Sequence, residues 1–164
     1  MKLIEQYRKV RDRALIITPY DCEYTDVQNT DIEQLNFWKF QGVKRFIADD
    51  NVIKRLNDRI NYFRNGLLLL DDCRFYIEAK IEKDLHRFLI ARKQRSVDII
   101  VAAHGFTEVP PKFFTFAKSI VLHKTNDNIN ERKRVLNKFQ ELKQLQQKVN
   151  NHKDFHYHEV FNLI

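Results

Sequence analysis

Residues 66–72 read GLLLLDD, and this run constrains the fold more than any other segment. Four successive apolar residues cannot alternate between a core face and a solvent face. They suit a strand buried on both faces, the kind found in parallel sheets. Ligands of open α/β sheets bind beyond the carboxyl ends of the strands, where Asp71 and Asp72 fall.

The surrounding pattern extends this expectation. ALIIT at 14–18 is a second short apolar run, closed by Pro19. VDIIVAA at 97–103 and SIVLH at 119–123 are further strands, and residues 44–48 are a weaker one. Helical spacing is present at 51–63 (Val52, Leu56, Ile60, Phe63) and at 81–93 (Leu85, Phe88, Leu89). A helix is also expected at 2–12, and a turn of helix within the polar stretch 21–41. Residues 129–149 read as one long basic helix with Val135, Phe139, Leu142, Leu145 and Val149 along its stripe. The end, 154–164, alternates and suits an edge strand. Alternating strands and helices predict an α/β domain of three layers, α/β/α, around a mostly parallel sheet. No repeat, linker or low-complexity tract interrupts the chain, so residues 1–164 are read as a single domain.

The net charge of +7 favours phosphate-bearing partners, nucleic acid or nucleotide, although solubility alone accounts for it equally well. With 3 Gly and 3 Pro the chain is not of disordered type, and 13 Phe imply an aromatic-rich core. Cys22 and Cys73 form no metal-binding spacing and are expected as buried free thiols. No apolar stretch is long enough to span a bilayer, and no signal-peptide pattern is legible, which points to the cytoplasm of a cell or virus-infected host.

The LLLLDD strand is Walker B-like: one carboxylate can hold Mg²⁺ and its neighbour can orient or deprotonate a water. IARKQRSVDIIVAAHGF follows at 90–106, a helix end with Arg92 and Arg95, a turn, a buried strand and then His104. EVPPKFFTFAKSIVLHKT follows at 108–125 as a connection and another strand. Over about residues 14–125 this order resembles the FtsK/HerA group of P-loop ATPases, which includes virus genome-packaging ATPases and the ATPase domain of zonula occludens toxin. The resemblance implies a RecA-like P-loop NTPase fold and a protein that couples ATP hydrolysis to moving DNA, as a ring of subunits. By the same resemblance Asp71 is the Mg²⁺-side acid. Asp72 stands where the group has a catalytic Glu, and His104 where it has a polar sensor, commonly Gln. Arg92 or Arg95 matches a basic turn directed at a neighbouring subunit's nucleotide, and a solvated helix end is the alternative for both.

The P-loop itself, G-x-x-x-x-G-K-[ST], is absent: Gly42, Gly66 and Gly105 are the chain's glycines and none is followed by Lys. The chain reads as a truncated or degenerate ATPase-like domain that lacks the first strand and Walker A loop of the group. The loss of that strand exposes sheet edges, and 154–164 is a candidate substitute.

Other readings stay open. Arg132, Lys133, Arg134 and Lys138 can track DNA phosphates or form a solvated helix face. His156 and His158, with His152 nearby, can bind a metal or lie on a polar face. Phe113, Phe114 and Phe116 can stack bases or pack a core. A non-catalytic nucleic-acid-binding or assembly module is the main alternative function. A metal-dependent nuclease using Asp71, Asp72 and Glu78, with Lys80, is a third.

Overall fold

Apolar runs without alternation form the centre of the structure. The computed structural model describes residues 11–36, 39–49, 51–78 and 80–163, and the helix expected at 2–12 lies outside them save for its last two positions. Four strands, β1 (Arg13–Thr18), β2 (Gly42–Ile47), β3 (Gly66–Leu70) and β4 (Val97–Val101), pair in the order β2-β1-β3-β4, all parallel. β1 and β3 are central, and every residue of both is buried, as an apolar run without alternation requires.

The pleat divides the sheet into two faces. On one, Ala14, Ile16, Leu67 and Leu69 pack with Val27, and with Tyr24, Val43, Ile100 and Ala102 at the margin. The described cover of this face is thus the connection 19–30. The other face carries Leu15, Ile17, Leu68 and Leu70, none more than 1% exposed. Helix α1 (Val52–Ile60) buries Val52, Leu56 and Ile60 and sets Arg55 5.1 Å over the ring of Phe46 in β2. Helix α2 (Lys83–Ala91) buries Leu85, Phe88 and Leu89 and packs against α1. Gly66 begins β3 because a Cβ there would come within 2.7 Å of the Phe63 ring and 2.8 Å of the Arg13 side chain. Between β1 and β2, a single helical turn closes at Leu35 onto Asp31.

The chain divides into two compact units, Met1–Ala103 and His104–Ile164. The second contains α3 (Pro111–Phe116), β5 (Ser119–Leu122), a 3₁₀ turn at Ile129–Arg132, α4 (Phe139–Asn151) and β6 (Glu159–Asn162). β5 and β6 form an antiparallel pair. Their core is Phe106, Phe114, Leu122, Ile129, Leu136, Leu142 and Val149.

Three expectations change here. The helix read at 129–149 is broken: Lys138 adopts φ 54°, a left-handed conformation, and the α-helix begins after it. The apolar spacing continued through the break because Val135 and Leu136 serve the same core as α4. Pro110-Pro111, read as a connection, instead opens α3, with Pro111 in its first turn where a missing N–H costs nothing. The segment 154–164 supplies β6, which pairs with β5 and not with the four-stranded sheet. Cys73 is buried as expected, whereas Cys22 is exposed.

Candidate functional site

β1 and β3 end side by side, with Ile17 paired to Leu70. Thr18, the last residue of β1, and Asp71, the first after β3, therefore lie side by side at the carboxyl edge of the sheet. Asp71 donates its backbone N–H to the Ile17 carbonyl at 2.9 Å, which prolongs the ladder by one bond. Thr18 is fully buried, and its hydroxyl donates to Glu23 Oε2 at 3.1 Å. Glu23 comes from the loop that follows β1. Its carboxyl and the Thr18 hydroxyl both lie close enough to Asp71 to shift its titration. Burial pushes Asp71 up to about 6, helped by the hydrogen bond and charge of Glu23 and by Asp72, while Thr18 acts the other way.

Tyrosines surround the pair. Tyr76 is held by burial far above its ordinary pKa, so its hydroxyl stays protonated; it donates to the Asp71 carbonyl at 2.9 Å and lies 3.2 Å from that of Ile17. Tyr24 is likewise raised, first by burial and then by the charge of Asp71. Tyr20 is raised chiefly by the charge of Asp72. Asp72 has φ 42° and ψ 50°, a left-handed conformation that Asp tolerates better than most residues. It caps the 3₁₀ turn Cys73–Phe75 that re-aims the chain after β3.

Arg45 of β2 holds the loop that carries Glu23. Only 6% exposed, it donates from Nη1 to the carbonyls of Asp21 (3.0 Å) and Glu23, and from Nε to Asn29 Oδ1 (2.6 Å). The backbones of Gln28 and Thr30 bond Arg45 from the outer edge of β2. A buried guanidinium with its donors engaged is a rigid clamp. None of Thr18, Glu23, Tyr24 or Arg45 stood out in the sequence. The available signal was positional: residues just past the carboxyl end of a central strand.

Arg92 and Arg95 lie at the other end of the sheet. The Arg95 carbonyl accepts from Asn65 N and that of Ser96 from Gly66 N, so both arginines sit at the amino end of β3. β3 has five residues, about 17 Å at the parallel rise per residue, and that length separates them from Asp71. Arg92 Nη1 donates to the Leu89 carbonyl at 2.7 Å. Arg95 donates to the Asn61 carbonyl and lies 5.7 Å over Phe88, with burial drawing its pKa down.

His104 is exposed in the second unit. Its N–H donates to Glu108 Oε2 at 2.8 Å and its carbonyl accepts from Thr125 Oγ1 at 2.9 Å. Arg132 is engaged with backbone: Nε donates to the Phe106 carbonyl at 3.0 Å and Nη2 to those of Thr107 and Val109. Lys138 reaches the Asn162 carbonyl at 3.3 Å, while Lys133 and Arg134 are exposed. Phe113 and Phe114 are buried, Phe114 against Phe106 with 6.4 Å between ring centroids. In the first unit, surface hollows surround Arg55, whose ion pairs with Asp31, Glu33 and Asp49 (3.0, 2.6 and 2.6 Å) offset that acidic cluster; they do not reach Asp71.

No protein-family model matches the chain, and no curated protein matches it. Solved structures do match. The genome packaging NTPase B204 of Sulfolobus turreted icosahedral virus 2, in complex with AMPPCP, superposes with a TM-score of 0.71 at 14% identity, over 98% of this chain and 82% of that one. The same NTPase in complex with AMP gives 0.68 at 15% identity, over 99% and 81%. B204, the DNA-packaging ATPase from Sulfolobus turreted icosahedral virus, gives 0.68 at 12% identity, over 99% and 82%. At such identities the likeness is one of fold, and it agrees with the mixed α/β architecture and parallel sheet expected from the sequence.

Proposed function

We propose that residues 1–164 form a single ATPase-type domain of the DNA-translocating, genome-packaging kind, and that by themselves they do not turn over ATP. The observation that carries this reading is the Asp71–Glu23 pair at the carboxyl edge of β3 and β1, within a fold shared with packaging NTPases. The structural match runs through both compact units, which supports treating them as one domain.

The donors suit Mg²⁺: carboxylates of Asp71 and Glu23, and the Thr18 hydroxyl, are hard oxygen ligands. Mg²⁺ commonly takes one or two carboxylates and completes its shell with water and phosphate. That habit agrees with the described residues, which contain no group of three or more His, Cys, Asp or Glu able to hold a metal alone. When bound, the ion offsets charge on phosphate oxygens. Asp71 would hold it, Thr18 would orient Glu23, and Asp72, beside Tyr20, would be the acid nearest to a water-activating role. By the resemblance, His104 is assigned the polar sensor role. No glycine-lysine loop cradles ATP phosphates here, so any hold of these residues on Mg·ATP would run through the ion at Asp71. Arg92 and Arg95, a strand's length from Asp71, serve only a neighbouring copy's nucleotide in a ring. Lys133, Arg134 and Lys138, with Arg132 as their anchor, form the DNA-facing cations.

Calorimetric titration of Mg·ATP into the chain and into Asp71→Ala tests the assignment. Binding that vanishes in the variant supports it, and binding of equal strength in both overturns the role of Asp71. If neither protein binds, the activity of these residues lies with DNA or a partner. ATP turnover by the chain alone would refute the second half of the proposal.

A further inference from the structure

Four of the chain's 6 histidines, His123, His152, His156 and His158, lie beside the β5–β6 pair. The ladder ends with Leu122 opposite Glu159, so the next residues outward, His123 and His158, face each other. Both are exposed, and their ring centroids are 5.0 Å apart. Two imidazoles on one tetrahedral ion, with metal–nitrogen bonds of about 2.0–2.1 Å, place their centroids about 5 Å apart. The rings now lie at 29° to one another, so a side-chain rotation would turn their nitrogens to a shared point.

His158 Nδ1 lies 3.3 Å from the His156 carbonyl, which can only accept. That contact selects the tautomer with the proton on Nδ1 and leaves the Nε2 lone pair available. Ligating histidines commonly have their second nitrogen engaged in this way. Burial, and then the charges of His158 and His156, draw the pKa of His123 down. His152 differs: its Nδ1 accepts from Asp154 N at 3.1 Å, and its ring stacks on Tyr157 at 3.7 Å.

We propose that His123 and His158 form a two-histidine surface site for a late first-row divalent metal ion, the class to which Zn²⁺, Ni²⁺ and Cu²⁺ belong. With two protein ligands, water completes the coordination and the ion exchanges freely. The ion joins the end of β5 to the approach to β6, so it stabilises the pair by mass action. The site belongs to the second unit and differs from Asp71 in donor type.

The test titrates Ni²⁺ alone into the full chain and into His123→Ala, His158→Ala and His152→Ala, followed by calorimetry. One ion per chain is expected, with at least 10-fold weaker binding in the first two variants and unchanged binding in the third. Cu²⁺ bound to the wild-type chain should show two imidazole nitrogens by electron paramagnetic resonance, and one in either variant; oxygen donors at Asp71 give no such coupling. Should an alanine variant lose its circular dichroism signal, His123→Gln and His158→Gln carry the same expectation. Absence of Ni²⁺ binding to the wild type, equal affinity in all four proteins, or an equal loss in His152→Ala would each overturn the site.

Discussion

The two compact units reach order by different means. In the first, two central strands bury every residue, and polar groups gather at one edge of the sheet. In the second, a smaller apolar core is held by polar side chains that bond backbone. Arg132 spans the carbonyls of Phe106, Thr107 and Val109. Asn150 makes both amide bonds to Thr125, at 3.0 and 2.9 Å, and Gln146 donates to the Asp127 carbonyl at 3.0 Å. Gly105 belongs to the same network, since a Cβ there would meet Asp127 at 2.6 Å. Arg45 is a clamp of the first unit too, but it holds a loop at the sheet's margin, whereas in the second unit the clamps hold the connections around the core itself.

The largest effect is expected in the sheet. Leu68→Ala removes a side chain 1% exposed and should cost about 3 kcal/mol in denaturant unfolding. Arg132→Met should follow at about 2 kcal/mol, because three carbonyls lose their donor. A cost near zero for Arg132→Met would break the contrast between the units.

Asp71→Asn probes the polar edge through pH. The folded pKa, about 6, lies above the ordinary 3.8. The stability linked to protonated Asp71 is therefore full below pH 3.8 and lost as pH rises through 6. With chelator present, the variant should be more stable than the wild type by about 1 kcal/mol above pH 7, discounted for solvent screening, and equal to it below pH 4. A gain that persists at pH 3 would refute the carboxyl pairing.

The smallest stability effect belongs to Lys133→Ala with Arg134→Ala. Both residues are exposed, and the double variant should change stability by less than about 0.5 kcal/mol. If the pair contacts DNA, the slope of log affinity against log salt should fall by about 2. An unchanged slope would remove these cations from the proposed interface.

The contrast also decides what could be read in advance. GLLLLD and ALIIT announced β3 and β1 because a strand buried on both faces leaves an unbroken apolar trace. The position of Asp71, just past the end of that run, was legible in the same way. Glu23 was not, because its link to Asp71 depends on a clamp by Arg45, twenty-two residues further along, and no local period records it. The break before α4 was hidden for a similar reason. No Gly or Pro marks Lys138, and Arg132 is drawn to carbonyls far back in the sequence. Side-chain-to-backbone bonds between distant segments leave no pattern in composition or spacing.

Strand order has a consequence for how the chain is made. β1 is the first described strand, yet both its neighbours are synthesised after it, and Arg13 meets Gly66 only once the intervening residues have emerged. At about 5–20 residues per second, β1 waits about 3–10 s for β3. β2 emerges earlier and can take one edge of β1, so until β3 arrives RALIIT keeps its other edge open, an apolar segment with a single charge at one end. Whatever shelters that one edge at the ribosome, a chaperone or slow emergence, guards the strand on which the whole parallel sheet is later built.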